Sequence, residues 1–196
     1  MLGGRIAVLA LGVITACQAD SRHDLPLGAH GRFGIGTPAT AQQIAVADVD
    51  VSPSGAGLPA GSGTPQQGAV IYSTVCASCH GANGEGHAPY PRLLGGSQNA
   101  SIDFAANPAI PHSIGNYWPY ATTVFDYIRR AMPPTAPGSL TDDQIYALTA
   151  FLLAREGLIR DTAKMNARTL PAVRMPARRR FVPDNRRATL GGKRVR

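Results

Sequence analysis

The stretch Cys76-Ala77-Ser78-Cys79-His80 sets two thiols three positions apart and follows the second with an imidazole. Each thiol of such a pair can form a thioether to one of two neighbouring vinyl groups on a porphyrin edge. The adjacent imidazole then stands where it can ligate the iron from one face. This spacing points to one covalently attached haem c, with Cys76 and Cys79 as attachment points and His80 as an axial ligand. Other uses of the five residues lack their setting. A thioredoxin-type pair expects strand–helix alternation around it, and none is present. A structural zinc site needs four ligands, usually as two such pairs. The chain has a single pair, because its third cysteine, Cys17, belongs to a different segment. A plain disulfide does not need the histidine.

Working outward, the segment before the motif predicts a helix. Thr64 can serve as N-cap, Pro65 suits the first helical position, and Gln67 completes a capping box. Gly68, Ile71, Tyr72 and Val75 share one face that leads into Cys76 and Cys79. At Gly68 another helix can approach closely. Residues 81–118 read as mostly loop, with six glycines and several prolines, and a loop of that length needs a job such as wrapping a haem edge. Within it the Pro91 carbonyl can accept the Nδ1 proton of His80, leaving Nε2 for iron. Arg92 can pair with a haem propionate, or be a surface arginine.

A second helix is expected over Pro119 to Ala131, with Phe125 and Ile128 on one face and Met132 at the next step of that face. Pro133 and Pro134 stop it. A third helix is expected from a capping box at Thr141–Gln144, with Ile145, Leu148 and Leu152 as its apolar stripe and Gly157 beyond its end. Met132 is the expected distal axial ligand, since a thioether opposite His80 favours ferrous iron. Methionines also simply fill core gaps. The competing ligands are Met165 and Met175, which are expected in the basic extension away from the capped helices, and His87 and His112.

At 196 residues, with 22 Gly and 16 Pro, the chain suits one domain with a small core and loop-rich extensions. Residues 1–16 read as a signal peptide: Arg5 is followed by an apolar run from Ile6 to Ile14, too short to span a bilayer. Ile14-Thr15-Ala16-Cys17 resembles a lipobox, which makes Cys17 a candidate lipid anchor. The expected location is therefore the periplasm, with membrane attachment through that lipid. Residues 17–63 form an N-terminal extension, 64–159 the haem domain and 160–196 a C-terminal extension. Charge is concentrated in that last segment, which carries 12 basic and 2 acidic side chains in a chain whose net charge is +7. Such a tail suits an acidic protein face or anionic lipid. Export argues against nucleic acid.

The motif, the Arg130-Ala131-Met132-Pro133 helix end and the capped last helix together resemble class I c-type cytochromes. Longer stretches are similar to the cytochrome subunits of bacterial sulfite and sulfane dehydrogenases: Phe33-Gly34-Ile35-Gly36, Pro38-Ala39-Thr40, Asp48-Val49-Asp50-Val51 and Gly57-Leu58-Pro59. So are Ile114-Gly115-Asn116-Tyr117-Trp118-Pro119, running on to Met132-Pro133, and Met165-Asn166-Ala167, Thr169-Leu170-Pro171 and Met175-Pro176. The resemblance implies an all-α fold, a small class I cytochrome c domain around one haem, and residues 33–63 ordered against it. It implies one-electron transfer from a molybdenum-cofactor dehydrogenase subunit to a downstream cytochrome or oxidase. The substrate oxidation then belongs to the partner, and no catalytic residue is assigned here. Trp118 is expected near the haem edge or in the core. The alternatives are a free-standing lipoprotein electron shuttle and a haem-based sensor.

Overall fold

The structure, a computed structural model, describes residues 36–95 and 109–182, with the backbone of 189–190 and 193–194. The expected signal segment, Cys17, Phe33-Gly34-Ile35 and residues 96–108 of the long loop lie outside the described residues. Two units are present, one of residues 1–38 with 187–196 and one of residues 39–186. In the first, Thr189–Leu190 pairs antiparallel with Lys193–Arg194. Everything below concerns the second. Among the described residues, no helix is long and apolar enough to cross a membrane.

Six α-helices among the described residues carry the fold: α1 (Ala41–Ala47), α2 (Pro65–Ile71), α3 (Ala77–His80), α4 (Ile114–Tyr117), α5 (Ala121–Ala131) and α6 (Asp142–Arg155). A two-residue ladder joins β1 (Ser62–Gly63) to β2 (Met165–Asn166). The result is a mostly helical molecule. The capping boxes form as the sequence dictates. Thr64 accepts from Gln67 N at 3.4 Å, and Thr141 accepts from Gln144 N at 3.3 Å. In each case the glutamine amide oxygen returns the bond to the cap's own N–H, so two orphan donors are satisfied at each helix start.

Helix α6 is the central element. Ile145, Leu148 and Leu152 are buried as expected, but so are Tyr146, Ala147, Thr149, Ala150 and Leu153. A helix buried nearly all round needs partners on every side. Helix α2 supplies one of them. The two approach so closely that a Cβ added at Gly68 would lie 2.0 Å from the Ala147 carbonyl oxygen and 2.7 Å from Phe151 Cβ. The N-terminal extension supplies another. Tyr146 donates its hydroxyl to the Pro59 carbonyl at 2.9 Å, and burial pushes its pKa up to about 12, so it remains a donor. Ser62 N–H donates to Asp143 at 2.7 Å.

The Asp48–Val51 stretch has a partner too. Buried Asp126 on α5 accepts from Val51 N–H at 3.0 Å and from Arg130 Nε at 3.1 Å, while Arg129 donates to the Val49 carbonyl at 3.1 Å. A carboxylate this buried costs free energy unless its lone pairs are taken, and here backbone and guanidinium take them. Residues 44–51 form no strand. Thr40 caps a helix over their first half instead, with no buried residue.

Three other features depart from the sequence reading. Helix α5 begins at Ala121, because Tyr120 is extended at the cap. The 81–118 segment contains α4, started by Ser113, which accepts from Asn116 N–H while Asn116 Oδ1 accepts from Ser113 N–H at 2.7 Å. Met165 and Met175 are not remote from the helices. Both are buried in the same apolar cluster as Phe125 and Leu148, together with Leu170.

Gly68→Ala gains up to about 1 kcal/mol of helix propensity. It loses more by forcing α2 from α6, since overpacking a rigid backbone contact costs about 1–3 kcal/mol and sometimes more. The substituted holoprotein is expected to melt below the parent in a thermal scan. An unchanged or higher melting temperature would show that the α2–α6 contact is softer than the geometry states.

Candidate haem site

The two cysteines sit where the helix leaves its α-form. After Ile71 the chain makes a π turn over Tyr72–Cys76 before resuming as α3. The wider turn puts Tyr72 on the core side, where it is 2% exposed, and directs Cys76 and Cys79 toward a common cavity. Tyr72 donates its hydroxyl to the Gly81 carbonyl at 2.8 Å, tying the start of the turn to the end of the motif. Burial, helped by Cys76 and Glu85 nearby, raises that phenol to about 12. π turns are common at functional sites, and nothing in the residue types signals this one.

His80 is oriented by the loop that follows. Its Nδ1 lies 2.9 Å from the Pro91 carbonyl oxygen. A carbonyl can only accept, so in the neutral imidazole Nδ1 carries the proton and the Nε2 lone pair is free. The loop is folded to make that contact. The Gly84 carbonyl accepts from Leu93 N–H at 2.8 Å and Leu94 N–H at 3.0 Å, and Gly86 N–H donates to the His80 carbonyl at 2.8 Å. Gly86 has φ +71°, and a Cβ there would lie 2.5 Å from Arg92 N, so the turn requires glycine.

Cys76, Cys79, His80, Pro91, Arg92 and Met132 all line one cavity of about 510 Å³. Met132 is the residue that closes α5. His112 lines the cavity as well, whereas His87, Met165 and Met175 do not. Trp118 lines it too, half-buried, with its ring 5.7 Å from that of Tyr127. The rest of the wall is mostly apolar and includes Ile114, Val124, Leu140, Leu148 and Leu152, none of which the sequence marked as facing a cofactor. For Val124, Leu148 and Leu152 the signal was present as helix periodicity, but periodicity does not distinguish a side chain facing another helix from one facing a cavity.

The donor set fits one group. Burial pushes the Cys76 thiol up to about 11, with Cys79 adding to it, so it is a neutral thiol at neutral pH. Two cysteines free of disulfide, one imidazole presenting Nε2 and one thioether border an apolar space of cofactor size. That is the chemistry of a covalently held iron porphyrin.

The Cytochrome c family matches residues 65–156. The crystal structure of the sulfane dehydrogenase SoxCD from Paracoccus pantotrophus aligns at 37% identity over 79% of this chain and 73% of that one, with a TM-score of 0.68. The chain belongs to the cytochrome c family. This class I c-type cytochrome carries one covalent haem c and transfers electrons. The as-isolated thiosulfate dehydrogenase TsdBA from Marichromatium purpuratum gives 25% identity over 47% of this cytochrome and 18% of that chain. Its TM-score of 0.35 is too low to carry an argument. No curated protein matches the sequence.

With both Cys76→Ser and Cys79→Ser, no thioether can form. A haem-stained denaturing gel of the doubly substituted cytochrome is expected to show no stained band. A stained band would place the attachment elsewhere.

Proposed function

We propose that Cys76 and Cys79 would hold the haem through thioethers and that His80 and Met132 would ligate its iron. The haem supplies reversible one-electron exchange at iron. The chain's own residues set how that exchange runs. Pro91 holds the His80 tautomer through Nδ1, Arg92 supplies positive charge for a propionate, and the apolar wall keeps water from the cavity. A thioether ligand biases the iron toward the reduced state and raises the potential. Of the four methionines, Met132 alone borders the cavity among the described residues, and this observation carries the ligand assignment.

The same reading makes this an exported cytochrome subunit that receives electrons from a molybdenum-cofactor subunit oxidising sulfite or sulfane sulfur. It passes them to a downstream cytochrome or oxidase. The 37% identity to a sulfane dehydrogenase, extending beyond the haem domain to 79% of the chain, supports it. In this reading residues 1–16 are the export signal, and Cys17 carries the lipid that holds the mature protein at the periplasmic membrane surface. No sulfur-oxidising residue is assigned to this chain.

Two experiments test these assignments. Met132→His is expected to lower the potential and abolish the weak long-wavelength thioether-to-iron band of the oxidised protein. Met132→Ala is expected to open a position to carbon monoxide, and Met165→Leu and Met175→Leu are expected to do neither. A band that survives Met132→Ala refutes the ligand. Purified native complex is expected to contain molybdenum and to reduce the haem on addition of sulfite or a sulfane-sulfur donor. Mass spectrometry of the same material is expected to find an acylated Cys17 at the N-terminus. A molybdenum-free, sulfur-unresponsive preparation would return the protein to the free-standing shuttle, and an unmodified terminus elsewhere removes the anchor.

A further inference from the structure

The arginine run Arg178-Arg179-Arg180 belongs to the segment that the sequence presents as a basic C-terminal extension. The structure docks it. A 3₁₀ helix spans Pro176–Arg180, with Met175 at its N-cap 4% exposed and Ala177 in its first turn 2% exposed. These two apolar side chains fix the turn, and the three arginines after them are exposed. Arg178 lies over the ring of Tyr120, 5.0 Å from its centroid. Phe181, half exposed, meets the Tyr117 ring edge-on at 6.0 Å. Tyr117 in turn stacks on His112 at 4.0 Å, and both rings line the haem cavity. The run of positive charge is therefore held one aromatic layer from the cofactor space.

Residues 109–125, which form this side of the cavity, contain no Asp or Glu. The ion pairs among the described residues join Arg129 to Asp142 and Arg130 to Asp50 and Asp126, and none uses Arg178 or Arg179. Exposed aromatic rings beside arginines are the composition of interface centres. Nothing in the core requires three consecutive charges here, since Met175 and Ala177 already seat the turn.

We propose that Arg178, Arg179 and Arg180, with Phe181 and Tyr117, form the docking face for an acidic protein partner in electron transfer. Charge complementarity selects the partner, and the position at the cavity rim brings its redox centre close to the haem. An anionic membrane would be drawn to the same charge, but it does not explain why the charge is fixed beside the cavity wall. The proposal rests on the electron-transfer role alone and holds whichever dehydrogenase or oxidase is involved.

The test uses the full-length holocytochrome and the variant carrying Arg178→Gln, Arg179→Gln and Arg180→Gln. The reduced protein is mixed with hexacyanoferrate(III), an anionic oxidant, and separately with a cationic cobalt(III) complex, across a range of salt. For the parent, the anionic reaction should slow as salt rises, because exposed charges are screened over about 10 Å at 0.1 M. At low salt the variant should lose about tenfold with the anion, lose most of its salt slope, and not slow with the cation. Poly-L-glutamate, the polyanionic peptide probe, should inhibit the parent's reaction and leave the variant unaffected. Arg→Lys at all three positions should restore both effects, which a merely structural role would not allow. The proposal is overturned if the glutamine variant keeps the parent's salt slope. It is also overturned if poly-L-glutamate has no effect while vesicles rich in phosphatidylglycerol bind the parent and not the variant, the result expected of a membrane-facing patch. Sulfite-dependent reduction is not part of this readout, so failure here leaves the assignment of the dehydrogenase partner standing, and the reverse.

Discussion

Helix α2 can lie directly on α6 only because position 68 has no side chain. A methyl group there would sit 2.0 Å from the Ala147 carbonyl oxygen, well inside van der Waals contact. The rest of the site hangs on this approach. It places Tyr72 in the core, one turn after Gly68, with its ring 5.0 Å from that of Phe151 on α6. Tyr72 anchors the π turn, and the turn directs both cysteines into the cavity that Leu148 and Leu152 of α6 also border. A lateral shift of α2 would move the two cysteines and the cavity wall relative to each other. A covalent cofactor tolerates little of that, since two sulfurs must reach two fixed positions on one ring.

The two extensions make α6 a buried helix. Residues 49–63 lie along its first half and against α5, and β2 closes onto β1 from the C-terminal side. The extensions also meet each other, where a Cβ at Gly55 would be 2.5 Å from Pro171. A haem domain of this size has a small apolar core with much of its interior given to the cofactor. Burying Val51, Met165, Leu170 and Met175 enlarges that core with surface that does not compete for the cavity. At about 25 cal/mol per Å² of apolar surface, each fully buried side chain of this kind contributes about 1.5–3 kcal/mol before its ordering entropy. That is a large share of a marginal total.

What the sequence made legible was local. Capping boxes need three residues, a helix stop needs a proline, and the haem motif needs five, so Thr64, Thr141, Pro133 and Cys76–His80 could be read directly. The His80–Pro91 contact spans 11 residues, and it was readable because a proline carbonyl in a turn-rich segment has few other uses. Long-range contacts were not readable. The Asp126–Val51 bond crosses 75 positions, and nothing in Asp48-Val49-Asp50-Val51 names its acceptor. The π turn was hidden because Tyr72-Ser73-Thr74-Val75-Cys76 continues the helix pattern, and only the packing of Tyr72 on α6 reveals the extra residue. Met165 and Met175 were hidden by their basic neighbours: mean charge described the segment, while the alternation of buried and exposed positions decided its place.

That alternation also settles how one segment can be both structural and charged. In Met175-Pro176-Ala177 the apolar side chains turn inward, and the three arginines that follow are left outside. Composition averages these roles and returns only a basic tail. Position separates them: the inward residues determine where the charge stands, and the outward residues determine which partner feels it. For an electron carrier the distinction is physical. Coulomb attraction at a fixed point orients an encounter, whereas the same charge on a free tail raises the encounter rate without selecting the face that meets. Because tunnelling requires the cofactors to be close, orientation is the scarcer quantity. Fixing three arginines beside the cavity wall supplies it through the same segment whose Met175 and Ala177 complete the core.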